Sequence, residues 1–444
     1  MLSNEENDLL CRVGPGTPMG DLMREYWMPA VRSDELPAPD CAPVRVRLLG
    51  ENLIAYRATS GKVGLLADAC PHRGASMFFG RNEEEGLRCV YHGWKFDAAG
   101  TCVDMPSEPA ESNFKNKVHI RAYQCAERNG IIWAYMGPRE VPPPLPDIEA
   151  NLLCQGPHQI SILYRPCNWM QGLEGEMDTV HAAFLHFGAS RSDDAKPGSF
   201  DYYHFRQRDA KFVTVETDYG VANGAYRPAE EDSYYWRVTQ ILFPFYHMIP
   251  GGTLGSAIRI GAYVPMDDDH HMQWEIGVFK PNGEPMTTAG EARAAPVTGG
   301  RSRDTVWLPN TTDWYGRFNL DQNMANDYQI DREAQRTWQS YTGIRGIRQQ
   351  DMAMTETMGT IYNRSREHLG TTDAFIIRVR RKLIAAAKAH RDQGIVPYQI
   401  DHPEVYRQRS GEMVLSRSQT WWDGYLALRD RWQVAEEPVA AAGT

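Results

Sequence analysis

A chain of 444 residues, 42% hydrophobic and 23% charged, is long enough for two or three domains with cores of their own, which excludes a small electron carrier, a fibre or a disordered protein. Its net charge of −10 comes without a Lys/Arg block or an apolar run of the ~18 residues a membrane span needs, so neither nucleic acid nor a membrane is an expected partner. The acidic start, Met1 to Leu10, has no signal-peptide pattern, and the expected location is the cytoplasm. Thr17-Pro18 opens a helix expected to run through Trp27 and stop near Pro29, so residues 1–40 read as a helical cap packing on the following domain. Between Val44 and Gly137, short alternating runs such as Val44 to Leu49, Asn52 to Arg57 and Gly130 to Tyr135 alternate with turn signals and predict an all-β domain over 41–145. The stretch Val141-Pro142-Pro143-Pro144-Leu145-Pro146 suits neither helix nor central strand and marks a stiff connector. Over 146–444, strand-like runs around one helical segment at 160–265 precede a helix-rich 320–390, which predicts an α+β domain, an antiparallel sheet with helices to one side. The last ~10 residues, small and without period, are expected to be disordered.

The eight cysteines are scattered, unlike a disulfide framework, and Cys11, Cys41, Cys102, Cys125, Cys154 and Cys167 are expected to be core thiols. The other two have histidines beside them. Cys70-Pro71-His72-Arg73-Gly74 is followed, after residues 73–88, by Cys89-Val90-Tyr91-His92-Gly93-Trp94, so each of two loops offers one thiolate and one imidazole. Two thiolates and two imidazoles suit a [2Fe–2S] cluster in which His replaces Cys on one iron. Zinc would use the same atoms, but zinc pairs usually come as C-x₂₋₄-C and H-x₃₋₅-H rather than mixed within each loop.

A second constellation lies in the run from Asn168 to His186. Glu174, Asp178 and His181 follow one another at i+4 and i+3 and are expected to share a helix face. His181 and His186 are five apart, ~140° around an ideal helix, and converge only if the helix ends or loosens near Leu185. Two His and one carboxylate with open positions make the facial triad of non-haem Fe(II) oxygenases. The carboxylate must come from elsewhere, and Asp351, Glu356, Asp331 and Asp327 are all open on the residues alone. A Gly-rich fingerprint for NAD or flavin is missing: Gly251-Gly252-Thr253-Leu254-Gly255 lacks the strand-to-helix setting and reads as a turn.

The two Cys/His boxes, with their Arg73-Gly74 and Gly93-Trp94 flanks, resemble the cluster domain of Rieske ring-hydroxylating oxygenases. Ala75 and Tyr91 occupy places where respiratory Rieske proteins carry an extra disulfide. Asn168-Trp169, Asp178-Thr179, Gln350 to Gly359 and Arg364 to Gly370 resemble the phthalate dioxygenase branch, and the likeness spans about residue 14 to 375. The run Val13 to Gly20 and the chain length also look like the O-demethylases of lignin-derived biphenyls.

The resemblance implies an oxygenase component with Cys70, His72, Cys89 and His92 on the cluster and His181, His186 and Asp351 on a mononuclear iron. It implies that Asp178 bridges His181 to His92 of the next subunit in a homo-oligomer, a trimer or hexamer, and that Asn168 near the iron orients water or a ligating His. Electrons would come from a separate NADH-dependent reductase carrying flavin and a plant-type [2Fe–2S] cluster. Members of the branch hydroxylate or O-demethylate aromatic acids and aryl ethers with O₂. Arg227 and Arg237 are the candidates for a substrate carboxylate, while Glu367-His368, flanked by Arg364 and Arg366, reads as a salt-bridged helix end. An oxygenase of alkyl amines or sulfonates on the same fold, or a Rieske electron carrier, are the competing readings.

Overall fold

The computed structural model describes residues 1–109, 111–154, 156, 159–191, 193, 195–279, 293–294 and 305–431; the expected disordered tail lies outside them. After helices α1 (Asn4–Cys11) and α2 (Pro18–Arg24) come β1 (Trp27–Arg32), β2 (Val44–Leu48), β3 (Glu51–Arg57), β4 (Val63–Ala67), β5 (Arg81–Glu83), β6 (Gly86–Arg88), β7 (Lys95–Phe96), β8 (Cys102–Asp104), β9 (Ala122–Arg128) and β10 (Ile131–Tyr135). Six of these strands form an antiparallel sheet ordered β1-β10-β9-β4-β3-β2. Between β4 and β9 the chain makes a smaller sheet, β5-β6-β7-β8.

Thr17 does open α2, its hydroxyl accepting from the Gly20 amide, but the helix ends at Arg24 rather than near Pro29. Trp27 and Pro29 lie in β1, an edge strand whose register shifts between Pro29 and Val31. An edge strand with an irregularity is where a residue lacking an N–H fits. Residues 27–32 are therefore part of the β sheet and not of a cap, which corrects the boundary expected at residue 41.

The rest of the chain runs through α3 (Glu149–Leu152), β11 (Ile160–Arg165), α4 (Trp169–Met177), α5 (Phe200–Arg206), β12 (Lys211–Thr217), β13 (Gly220–Pro228), β14 (Ser233–Leu242), β15 (Tyr246–Met248), β16 (Ala257–Pro265), β17 (His271–Phe279), β18 (Arg293–Ala294), α6 (Arg332–Arg336), α7 (Ile347–Glu356), α8 (Ala374–Gln393), β19 (Gly411–Ser416) and α9 (Trp421–Arg431). Its antiparallel sheet follows β11-β17-β16-β15-β14-β13-β12, with β18 on β17 and β19 on β14. Two helices, α4 and α5, rather than one, interrupt the first strands.

Helix α8 buries Phe375, Val379, Leu383 and Ala387, spaced at helical period, against β12, β13 and the two amino-terminal helices. Helix α4 buries Trp169, Met170, Leu173 and Met177 and packs on β15, β16 and α7. One continuous core joins α1, α2, β10, α4 and the centre of the large sheet. The loops of β5 to β8 enclose a second core around Cys70, Cys89, Trp94 and Phe96. Among the described residues no helix is long and apolar enough to cross a membrane.

Candidate metal centres and cavity

The two Cys/His loops share one backbone frame. The Cys70 amide donates to Ala75 O at 2.9 Å and the Gly74 amide to Cys70 O at 2.8 Å; likewise Cys89 N reaches Trp94 O at 2.8 Å and Gly93 N reaches Cys89 O at 2.9 Å. Closing each turn this way puts Gly74 at φ +76° and Gly93 at φ +77°, a region costly for any residue with a Cβ. The frame buries Cys70 and Cys89 and carries His72 and His92 toward the surface, their ring centroids 4.3 Å apart.

Nδ1 of His72 is buried with no hydrogen-bond partner, while its ring stacks on Trp94 at 4.3 Å. An orphaned buried nitrogen beside a second imidazole, above two buried free thiols, fits an iron pair bridged by sulfide. Burial, together with the neighbouring Cys89, pushes the Cys70 thiol up to about 11, so loading metal releases protons. All eight cysteines are free; Cys11, Cys102, Cys154 and Cys167 are buried as expected of core thiols, whereas Cys41 and Cys125 are partly exposed.

Helix α4 begins at Asn168, whose Oδ1 accepts from the Met170 amide and whose Nδ2 donates to Cys11 O and Asp268 O. Its side chain is fully occupied as a cap and is not part of the cavity wall, which corrects the expected role beside the iron. The helix stops at Met177. Asp178 is extended, and its Oδ1 accepts from the amides of Val180 at 2.8 Å and His181 at 3.3 Å, a local bond that competes with another helical turn. Glu174, Asp178 and His181 therefore share no helix face. Glu174 instead takes both prongs of the buried Arg364 at 2.9 Å and Nε of Arg380 at 2.6 Å. Glu367 pairs with Arg380 rather than with Arg364, at no helix end, and His368 is exposed.

Past Asp178, a tight turn over His181–Ala183 brings the two five-apart imidazoles together. Their Nε2 atoms are 3.1 Å apart, and Oδ1 of Asp351 on α7 lies 3.5 Å from that of His181 and 3.3 Å from that of His186. Three donors each ~2.1 Å from an ion and at right angles stand ~3.0 Å apart, so this triangle matches a facial triad. Gln350, one residue before Asp351, offers Oε1 to Nδ1 of His186 at 2.8 Å, while its Nε2 is held by Ile344 O and the Thr342 hydroxyl. That bond puts the His186 proton on Nδ1 and leaves Nε2 for a metal. Burial opposes the charged form of His186, but Asp351 outweighs it and raises the pKa.

The other carboxylates are engaged elsewhere. Glu356 is buried against Arg165 and Tyr328, and Asp331 caps α6. Asp327 sits in a turn with positive φ. Asp178 presents Oδ2 to Nδ1 of His181 at 3.7 Å, and about a third of its side chain is exposed.

The triad opens on a cavity of about 500 Å³ between α4, α7 and the large sheet. Four arginines, Arg165, Arg237, Arg259 and Arg348, reach its wall. Arg165 is tied to Glu356 and Arg237 lies 3.7 Å from Glu412. Arg348, three residues before Asp351 on α7, has no ion pair or hydrogen bond among the described residues. Arg227 is buried away from the cavity and donates to Gln207 O and Arg208 O, so of the two arginines singled out from the sequence only Arg237 lines the site. The Gly251 to Gly255 segment opens no helix: it is a loop in which Thr253 bridges to Glu412 and Leu254 to Ala257, and its Gly251 and Gly252 reach the cavity.

A model of the Rieske [2Fe-2S] domain matches residues 26–124, and one described as LigXa C-terminal domain like matches residues 134–437. The chain is 43% identical to the oxygenase subunit of 3-chlorobenzoate-3,4-dioxygenase from Comamonas testosteroni, over 96% of this chain and 98% of that one. It is 38% identical to the phthalate 4,5-dioxygenase oxygenase subunit of Pseudomonas putida, over 88% and 87% of the two chains. With the 5,5'-dehydrodivanillate O-demethylase oxygenase subunit of a Sphingobium species it shares 34% identity, over 86% and 80%. Among solved structures, dicamba monooxygenase shares the fold, with TM-score 0.54 at 17% identity over 84% of this chain and 99% of that one. The chain belongs to the Rieske non-haem iron ring-hydroxylating oxygenases, which carry a [2Fe–2S] cluster and a mononuclear iron, as an oxygenase subunit of the phthalate dioxygenase branch.

Proposed function

We propose that this chain is the terminal oxygenase of a multicomponent, NADH-dependent system that hydroxylates or O-demethylates an aromatic acid. The observation that carries it is the His181–His186–Asp351 triangle on the wall of a cavity that also holds an uncommitted guanidinium, Arg348. When bound, a cluster held by Cys70, Cys89, His72 and His92 supplies single electrons, and an iron held by the triad supplies the site where O₂ is activated. The chain's own contribution is positional. Gln350 holds the tautomer of His186, and Arg348 takes a carboxylate and so sets which ring edge faces the triad.

The partly exposed Oδ2 of Asp178 is free to meet His92 of a neighbouring copy, which supports the bridging role and a trimeric or hexameric ring. The electron partner is taken to be a flavin/[2Fe–2S] reductase, and the location the cytoplasm. We place the domain boundary at the Pro142 to Pro146 connector, between the six-stranded sheet and the catalytic part.

The wall holds two aromatic rings, Phe187 and Tyr263, among many charged groups. That polarity keeps a sulfonate substrate as a second reading, since a sulfonate would meet the same arginines; an alkyl amine would not. An electron carrier has no use for the triad.

The test is NADH-dependent O₂ uptake by reconstituted protein with a phthalate-type reductase, over phthalates, methoxybenzoates and carboxylated methoxybiphenyls. Coupled uptake is expected with at least one aromatic acid, and formaldehyde release would mark O-demethylation. Iron should be three per chain, falling to two in Asp351→Ala. Full iron loading with no response to any aromatic acid would discard the reading in favour of the sulfonate.

A further inference from the structure

On the sheet side of the cavity, Glu176 of α4 and Glu275 of β17 face inward. Between them stands His247 of β15, only 1% exposed, with neither ring nitrogen hydrogen-bonded. Nδ1 looks at Oε2 of Glu176 across 3.9 Å and Nε2 at Oε1 of Glu275 across 4.0 Å, beyond hydrogen-bond range on both sides. The ring cannot turn away: it lies on Gly261, where a Cβ would come within 2.0 Å of Nε2. The carboxylates are held as well, Glu176 by the Tyr263 hydroxyl at 2.7 Å and Glu275 by Nε2 of Gln273 at 3.2 Å. Arg259, 4.0 Å from Glu275, is the nearest cation and too far to saturate it.

A single metal ion is a poor occupant. The carboxylate oxygens stand 3.9 Å and 4.0 Å from the ring nitrogens they face, well beyond the ~3.0 Å edge that the His181–His186–Asp351 triangle approaches, so the group is too open for the ligand set of one transition-metal ion. A small hydrogen-bond donor is a good one. One carboxylate oxygen of each glutamate lies within 4.8 Å of the other, close enough for the two N–H of an amino group to reach both at ~2.9 Å and for a hydroxyl to donate to one. Such acceptors, half-buried and incompletely paired, gain from a donor that the cavity brings to them.

We propose that Glu176 and Glu275, backed by His247, form a second polar subsite that takes a hydroxyl or amino substituent of the aromatic ring. The substrate is then an aromatic acid with two handles, its carboxylate on the Arg348 side and a hydrogen-bond donor against the glutamates. This rests on the aromatic-acid reading above and narrows it. His247 touches neither handle. It is a positioning residue that keeps the two carboxylates apart and facing the cavity.

The test is equilibrium binding to the fully loaded oxygenase under argon, by titration calorimetry, with benzoates carrying a hydroxyl, an amino or a methyl group at each ring position. At one position at least, the hydroxyl or amino acid should bind roughly tenfold or more tighter than its methyl counterpart, because a site built around unpaired acceptors rejects the analogue that lacks the donor. The ratio should fall at least threefold in Glu275→Gln and in Glu176→Gln, and the wild-type ratio stands as evidence even where a variant fails to fold. Equal affinities at every position, or a ratio unchanged in both variants, overturns the subsite while leaving the aromatic-acid reading intact if the acids bind. A fourth iron per chain would assign the cluster to an ion and overturn it too. If no benzoate binds at all, both readings fall together.

Discussion

Replacing Gln350 with Leu removes the acceptor that fixes His186 without touching a metal ligand. The bond is short, 2.8 Å, and the His186 side chain is only 7% exposed, so water does not readily replace it. Two things are lost: the tautomer that leaves Nε2 open, and the acceptor for a buried N–H. Removing such an outer partner typically weakens a metal site ~10–100-fold, or about 1.4–2.8 kcal/mol. Fe(II) affinity, measured anaerobically against a competing chelator, should fall by that amount in Gln350→Leu and by less than about threefold in Gln350→Glu, which keeps the acceptor. The visible absorbance of the Rieske cluster in the same sample reports whether the rest of the chain is intact. Affinity within twofold of wild type in Gln350→Leu, with the cluster undisturbed, would refute the argument.

Glu174→Ala strips Arg364 and Arg380 of their shared partner inside the core and should cost about 3–5 kcal/mol in urea unfolding, far more than an exposed pair such as Arg336–Glu333. Gly93→Ala forces a Cβ to 2.8 Å from Pro106 Cγ on top of a positive φ, whereas Gly74→Ala meets no atom within 4 Å; cluster absorbance per chain should drop more in the first. Asp267 gains from its hydrogen bonds to His270, Arg47 and Tyr315 more than it loses by burial, so its folded pKa lies well below the unfolded ~3.9. A depressed carboxyl contributes stability above the unfolded pKa that is lost as pH falls below it. Wild type should lose thermal stability more steeply than Asp267→Asn between pH 5 and pH 3, and parallel curves would remove Asp267 from the account.

The two Cys/His loops that would hold a cluster were legible in the sequence because each pair lies within one short loop whose glycine marks the turn. His181 and His186, which would hold the iron, were legible because they lie five residues apart in one short segment that has to break from the helix for the rings to meet. The third position was open among four carboxylates on the residues alone and was picked out as Asp351 only through the resemblance; the packing of α7 on α4 brings Asp351 to the two histidines, while a buried arginine has claimed Glu356. Helical periodicity misled at Glu174, Asp178 and His181, where the Asp178 carboxylate bonds its own backbone and ends the helix early. A residue type known to compete for backbone amides was the available signal. Asn168 misled differently, since position next to the motif is also the position of a helix cap. Arg348, Arg259, Glu176 and Glu275 carry no local signature; two strands and two helices must assemble before they share a wall, with His247 buried behind it.

The amino terminus is laced through both halves of the molecule. Strand β1 completes the six-stranded sheet through β10, yet α1 and α2, just before it, lie against α8, and the Cys11 carbonyl accepts from Asn168, the cap of α4. A chimera that exchanges the cluster domain with a relative by cutting near residue 41 would pair one parent's edge strand with the other's sheet. A cut between Arg24 and Trp27 keeps each strand with its sheet and each helix with its neighbour, and makes the join a matter of two residues.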